Sequence, residues 1–160
     1  MSDELKKLYE EIDKCRGCPP GTRELGWGSP EKILFIGQCP PARQQKFDKY
    51  FFDLIERVGI KDGDFFFTNI VKTPVDMNSI DRGLFSHCAQ HVDDEIKLIK
   101  PRVIIGLGRH AASFIDAFNI KAEKLMHPSS LRYPNSKVTE AQWLARLSTL
   151  VGCDSEHHND

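Results

Sequence analysis

The sequence has no long apolar segment, no large net charge and no secretion signal. No apolar run approaches the roughly 20 residues that a membrane-spanning helix needs. Residues 1–14 are charged and lack the apolar core of a signal peptide. These absences predict a cytoplasmic protein, or a nuclear one in a eukaryote, without a membrane segment. The formal net charge is -1 at pH 7, so nucleic-acid binding would need a local patch.

The cysteines do not form an even set. The chain has five, and an odd number without a secretion signal argues against a disulfide framework. Cys15 and Cys18 form a CxxC pair on a loop rich in proline and glycine. Two sulfurs on one turn can reach one metal ion, so the pair suits one edge of a tetrahedral thiolate site. Metal binding and simple packing of the thiols both remain open. The other cysteines are Cys39, Cys88 and Cys153.

Short apolar runs alternate with amphipathic helices. The runs 32–36, 65–71, 102–108 and 121–126 are typical of strands in a parallel sheet. Predicted helices cover 3–14, 46–58, 85–99, 109–118 and 139–151, and 22–31 is expected to be a loop. This alternation predicts a three-layer α/β/α sandwich with a central four-stranded parallel sheet. We expect one domain over 1–153 and a polar tail over 154–160.

Polar or small residues follow the predicted strands where each one ends. Gly37, Gln38 and Cys39 follow the first strand, Asn69 lies near the end of the second, and His127 follows the fourth. Ligands of open α/β sheets bind beyond the carboxyl ends of the strands. Asn69 could instead satisfy backbone groups, since buried amides need partners. The convergence predicts a site at this edge of the sheet.

The residues after His127 suggest contact with nucleic acid. Pro128 begins a loop, and the hydroxyls of Ser129 and Ser130 could bind phosphates while Leu131 enters a base stack. An ordinary proline turn with a surface loop is the alternative.

The order of these features resembles the uracil-DNA glycosylase superfamily, and most of all its iron-sulfur branch, family 4. The resemblance covers roughly residues 5–133 and is most specific in two segments, Thr68-Asn69-Ile-Val-Lys72 and the helix-proline-strand stretch 96–108. The further matching pieces are Cys15-Arg-Gly-Cys18, the strand ending at Gly37, Cys88 opening a helix, and His127-Pro-Ser129.

The resemblance implies an enzyme that hydrolyses the N-glycosidic bond of uracil in single- or double-stranded DNA, acting as a monomer in base excision repair. It implies that Asn69 reads the uracil edge. It implies that His127 hydrogen-bonds the carbonyl on which negative charge grows. The other implied roles are base binding and water positioning by Gly37, Gln38 and Cys39, stacking by Phe47, phosphate binding by Ser129 and Ser130, and gap filling by Leu131.

The resemblance also implies a [4Fe–4S] cluster on four cysteines. Cys15, Cys18 and Cys88 match three of them, and Thr73 stands where the family has the remaining one. His87 or His91 could take its place, since histidine ligands occur in cluster chemistry. A cluster, a zinc site with three thiolates and one histidine, and no metal all remain open.

The first motif departs from the family pattern. Family 4 usually has Gly-Glu-Ala-Pro-Gly followed by acidic residues, whereas this chain has Gly37-Gln-Cys-Pro-Pro41 and no carboxylate over 42–45. Pro41 also lacks a backbone donor. Three hypotheses follow: a glycosylase acting on uracil or another deaminated base, a weak or inactive member that binds nucleic acid, and a small-molecule α/β enzyme.

Overall fold

The structure is a computed structural model that describes residues 1–40 and 46–152, without the side chains of residues 46–48. The predicted tail and Cys153 lie outside this range. The elements in chain order are α1 (Asp3–Asp13), β1 (Trp27–Gly28), β2 (Ile33–Gly37), α2 (Lys46–Arg57), β3 (Phe65–Asn69), α3 (Arg82–Ile99), β4 (Val103–Leu107), α4 (Arg109–Ala117), β5 (Glu123–Leu125), a 3-10 helix (Pro128–Arg132) and α5 (Glu140–Gly152).

The sheet has five strands in the order β1-β3-β2-β4-β5, and it is mixed. The four predicted strands are present and run parallel to one another. The prediction of a purely parallel four-stranded sheet was wrong, because β1 pairs antiparallel with β3 inside the expected loop 22–31. The two residues of β1 are too few to show the alternating pattern by which a strand is recognised in a sequence. Gly28 permits the pairing, since a Cβ there would lie 2.3 Å from the Phe65 carbonyl oxygen.

Helices cover both faces of the sheet, which confirms the α/β architecture. On one face α1, α3 and α4 pack against the strands, and on the other α2 and α5 do so. The helix α3 begins at Arg82, before the predicted residue 85, because the Asp81 carboxylate caps it by accepting from the Leu84 N–H. None of the helices in the described part of the chain is long and apolar enough to cross a bilayer.

Backbone hydrogen bonds align the carboxyl ends of the strands. The Gly37 carbonyl accepts from the Ile70 N–H at 3.0 Å, so the end of β2 is held beside the end of β3. The Gly108 N–H donates to the Leu125 carbonyl at 2.8 Å, which holds the end of β4 beside β5. Trp143 of α5, 1% exposed, donates its indole N–H to the Met126 carbonyl at 2.9 Å. The two residues before His127, Leu125 and Met126, are therefore each held by a hydrogen bond to their carbonyl.

A buried ion pair connects the sheet to the helices of one face. Lys72 and Glu95 form a salt bridge, and their side chains are 1% and 0% exposed. The Glu95 carboxylate also accepts from the hydroxyls of Thr68 and Tyr9, at 2.7 and 2.8 Å. Burial and the Glu95 charge raise the pKa of Tyr9. The network joins β3, α3 and α1 through buried hydrogen bonds and one ion pair.

Candidate functional site

His127 lies at the start of the 3-10 helix, directly after β5. Its Nδ1 accepts from the Ser129 backbone N–H at 3.3 Å and lies 2.6 Å from the Ser129 hydroxyl oxygen. Because Nδ1 accepts, the neutral ring carries its proton on Nε2. Burial lowers the pKa of His127 from 6.5 to about 4. At neutral pH the side chain is therefore an uncharged N–H donor.

A cavity of about 630 Å³ opens beside His127 at the carboxyl edge of the sheet. Gln38, Ser129 and Ser130 line it, so the structure brings these predicted residues together with His127. Three further polar side chains that line the cavity were not predicted from the sequence. Arg109 directly follows β4, so the strand-end rule that selected His127 could have found it. The other two are Lys124 and Tyr133.

Asn69 lies at the end of β3, half-buried, and its register partner on β2 is Gly37. A Cβ on Gly37 would lie 2.4 Å from the Asn69 Oδ1 and 3.1 Å from the Phe67 Cζ. The absence of a side chain at Gly37 therefore makes room for the Asn69 amide. Asn69 and His127 lie at the same edge of the sheet, on β3 and directly after β5, with β2 and β4 between them.

The remaining residues of the first motif have different environments. The Cys39 thiol is half-buried, lies 3.5 Å from the Val75 carbonyl and packs against the core formed with α1 and α3. Burial raises the pKa of the Cys39 thiol, so it is not an activated nucleophile. The Phe47 side chain, predicted to stack under the base, lies outside the described residues. So do residues 41–45.

The loop after His127 has its most exposed large side chain at Tyr133, which is 64% exposed. Leu131, predicted to fill the gap in the duplex, is half-buried and packs against the core formed with α2 and α5. The Arg132 guanidinium lies over the Tyr50 ring, 3.9 Å from its centroid. The gap-filling role of Leu131 stays a prediction, and the Tyr133 ring is more exposed than the Leu131 side chain.

A group of thiols and imidazoles joins the loop after α1 to α3. The donor atoms of Cys15, Cys18, His87 and His91 all lie within 4.8 Å of one another. The Cys15 Sγ is 3.0 Å from the His87 Nε2 and 3.4 Å from the His91 Nε2. The group is compatible with metal binding, and it contains both cysteines of the predicted CxxC pair.

The protonation of these thiols differs. Burial acts to raise the pKa of Cys15, but hydrogen bonds to His87 and His91 outweigh it and lower the value to about 6. Burial raises the pKa of Cys18 to about 12. Burial also raises the pKa of Cys88, whose thiol donates to the Cys18 sulfur at 3.7 Å.

The described side chains do not fit a cluster held by four cysteines. Thr73, at the position of the missing cysteine, is 0% exposed, and its hydroxyl has no hydrogen-bond partner within the ranges 1–40 and 46–152. Its methyl group lies 3.8 Å from where a Cβ on Gly21 would be, so it faces the loop that follows the CxxC pair. A neutral hydroxyl does not replace a cluster thiolate.

The fold and this site define an α/β protein with a ligand-binding edge built from strand ends. Residues 26–150 match the family model of the uracil DNA glycosylase superfamily, and the chain belongs to that superfamily. Among its relatives it is similar to three Type-4 uracil-DNA glycosylases. That of Pyrobaculum aerophilum is 29% identical, over 76% of this chain and 70% of the relative. Those of Sulfurisphaera tokodaii and Saccharolobus solfataricus are each 27% identical, over 71% and 77% of this chain. The chain spans 58% and 64% of the length of these last two relatives.

Proposed function

We propose that the protein is a DNA glycosylase that hydrolyses the bond between uracil and deoxyribose. The C1′–N1 bond breaks with its electron pair leaving on the base. Water then supplies a hydroxyl to C1′ and a proton to the base, which yields free uracil and an abasic site. The observation that carries the proposal is the uncharged His127 donor at the same sheet edge as the Asn69 amide.

His127 stabilises the departing base. Negative charge grows on a uracil carbonyl as the bond breaks, and the Nε2–H of a neutral imidazole can donate to it. A neutral donor supplies this hydrogen bond without the cost of burying a full positive charge. The interaction between Nδ1 and the Ser129 N–H fixes the tautomer that the role requires.

Asn69 selects the base. A carboxamide offers both a donor and an acceptor, which match the N3–H and O4 of uracil and mismatch the corresponding edge of cytosine. Neighbouring strands lie about 4.8 Å apart, so three strand spacings place the ends of β3 and β5 roughly 14 Å apart. That width accommodates a planar base between two inward-reaching side chains.

The loop after β2 positions the base and the attacking water. Its Gly37 and Gln38 carbonyls accept from the Ile70 and Val71 N–H groups, which holds the loop at the edge of the site. Gln38 lines the cavity beside His127 and is the described polar side chain of the first motif that could orient water. No carboxylate follows it over 39–45.

The cavity edge binds the DNA backbone. The Ser130 hydroxyl and the Arg109 guanidinium are suitable donors to phosphate, whereas the Ser129 hydroxyl donates to the His127 Nδ1 in the tautomer described. Leu131 or Tyr133 would occupy the space that the base leaves on moving out of the stack. We propose that one copy of the chain suffices for this contact.

The test is a glycosylase assay on single- and double-stranded oligonucleotides with one uracil, followed by alkaline cleavage of abasic sites. His127→Ala and Asn69→Ala should each lower single-turnover excision by about 10²–10³. His110→Ala is the matched control, since His110 lies on α4 and not among the residues lining the cavity. No release of uracil or hypoxanthine by the unsubstituted protein, at high enzyme concentration, would reject the proposal.

A member that binds damaged DNA without cleaving it is the second candidate. The observation that favours it is the half-buried Cys39 thiol, with no carboxylate near it in the motif. Fluorescence anisotropy would then show tighter binding to uracil-containing than to unmodified oligonucleotides, while the cleavage assay shows no product.

A further inference from the structure

We infer that Cys15, Cys18, His87 and His91 bind one zinc ion in tetrahedral geometry, in place of an iron-sulfur cluster. The inference rests on the donor set and its spacing. It does not depend on glycosylase activity.

The distances within the group are those of ligands to a single ion. With Zn–S near 2.3 Å and Zn–N near 2.0–2.1 Å, a tetrahedron has edges of about 3.6 Å between sulfur and nitrogen and about 3.8 Å between sulfurs. The Cys15 Sγ lies 3.0 Å from one imidazole nitrogen and 3.4 Å from the other. All four donor atoms lie within 4.8 Å of one another. In a four-iron cluster each ligand binds a different iron, so the ligand atoms lie farther apart.

The two histidines have the helical spacing that such a site needs. His87 and His91 are four residues apart on α3, so their rings project from the same face. Their ring centroids are 5.3 Å apart. Cys88 is one residue further along the helix than His87 and is turned into the core, where it is 1% exposed. Its thiol donates to the Cys18 sulfur, which suits an outer partner of a metal ligand.

The loop leaves space for one of these imidazoles. A Cβ on Gly17 would lie 2.5 Å from the His87 Nε2 and within 3 Å of two further ring atoms. Gly17, one of the two residues between the cysteines, therefore leaves the space that the His87 ring occupies. The Arg23 guanidinium holds the loop closed by donating to the Cys15 carbonyl at 2.7 Å and to the Pro19 carbonyl.

The chemistry of the donor set selects zinc. Two thiolates and two neutral imidazoles in a tetrahedron are typical of zinc. Two thiolate charges cancel the charge of a divalent ion, which leaves a neutral centre for a partly buried site. The position where the family has a further cysteine holds the Thr73 hydroxyl, so a four-thiolate set is absent from the described residues.

The test begins with metal analysis of the full chain, purified without chelator from cells supplied with both iron and zinc. We expect about one zinc per chain, no iron, no acid-labile sulfide and a colourless protein. Replacing the zinc with Co²⁺ should give the intense visible bands of a tetrahedral site, and X-ray absorption should show two sulfur and two nitrogen ligands.

Variants distinguish the proposed ligand set, which contains His87 and His91, from a set that contains Cys88. His87→Ala with His91→Ala should weaken zinc binding by more than the roughly 10–100-fold that loss of an outer partner costs. Cys88→Ala should keep its zinc, as should the control His110→Ala. If the double variant does not fold, the cobalt and X-ray spectra of the unsubstituted protein still decide the ligand set.

Three results would overturn the inference. One is iron and sulfide in stoichiometric amounts with a brown colour. Another is a protein that takes up neither Zn²⁺ nor Co²⁺. The third is loss of zinc in Cys88→Ala with zinc retained in the double histidine variant.

Discussion

At two glycines in this chain, any side chain would occupy the space that a neighbouring functional side chain fills. At Gly37 a Cβ would lie 2.4 Å from the Asn69 Oδ1, and at Gly17 it would lie 2.5 Å from the His87 Nε2. Neither glycine has a positive φ, so neither is needed for backbone conformation. One admits the amide of the candidate active site, and the other admits an imidazole of the metal group.

Gly37→Ala should impair excision while the protein stays folded. The added methyl group displaces the Asn69 amide from the end of β2, and we expect a fall of about 10² in single-turnover rate, since a misplacement of about 1 Å can cost that much. Gly152→Ala is the control, because a Cβ there meets no heavy atom within 4 Å. An unchanged rate in Gly37→Ala, with the midpoint of thermal unfolding also unchanged, would contradict the assigned role of Asn69.

The pH dependence should report the lowered pKa of His127. The ring is neutral above a pKa of about 4, compared with 6.5 for ordinary histidine. The excision rate should therefore stay level from pH 8 to about pH 5 and fall only as the ring gains a proton. A fall centred near pH 6.5, absent in His127→Gln, would show that the imidazole is not buried as described.

The lowered pKa of His127 also makes the stability of the fold depend on pH. Between the folded pKa of about 4 and the ordinary 6.5, the unfolded chain binds more protons at this position than the folded chain does. Stability from this group is therefore fully present above pH 6.5 and is lost as the pH falls toward 4. Urea unfolding at several pH values, compared with His127→Gln, measures this contribution.

At the scale of elements, the Lys72–Glu95 pair joins the segment that follows β3 to the C-terminal part of α3. Lys72 also donates to the Asn69 carbonyl, so the pair supports the backbone of a candidate catalytic residue. Burial makes the pair sensitive to loss of one partner, since the other is left as an uncompensated charge.

Lys72→Ala should destabilise the fold by about 3–5 kcal/mol, as measured by urea unfolding. Lys72→Met combined with Glu95→Gln should recover part of that loss, because no buried charge remains. The exposed pair Lys97–Asp93 provides the control, and Asp93→Ala should cost no more than about 0.5 kcal/mol. Equal losses at the two pairs would mean that Glu95 is hydrated in the folded state.

At the scale of the whole molecule, a net charge of -1 means that the proposed DNA binding would rely on few contacts. The logarithm of the affinity should fall against the logarithm of the salt concentration with a slope of about -2 to -4, which corresponds to a few phosphates. Arg109→Ala should reduce the slope by about one. Arg146→Ala should not, because Arg146 pairs with Glu123 at the opposite end of β5. An affinity that does not change with salt concentration would exclude phosphate contact.

The proposed zinc ion would also act on the whole molecule, because its ligands connect the loop after α1 to α3. Zinc that binds only the folded chain stabilises it by about 2.7 kcal/mol at a free concentration of 100 Kd. The midpoint of thermal unfolding should therefore rise with added Zn²⁺ and fall with a chelator. The variant His87→Ala with His91→Ala should not respond. A midpoint that is independent of zinc in the unsubstituted protein would contradict a structural metal.

The sequence by itself determined the four parallel strands and the edge at which Gly37, Asn69 and His127 gather, because apolar runs and strand ends are local patterns. The CxxC spacing also predicted that Cys15 and Cys18 could reach one metal ion, with simple packing of the thiols as the alternative. Only the tertiary structure determined which residues contact one another across the fold. It paired Trp27 with Phe67, brought His87 and His91 to the CxxC loop, and turned Leu131 toward the core. These contacts join residues distant along the chain, or depend on how a side chain is oriented, and neither is encoded in local periodicity.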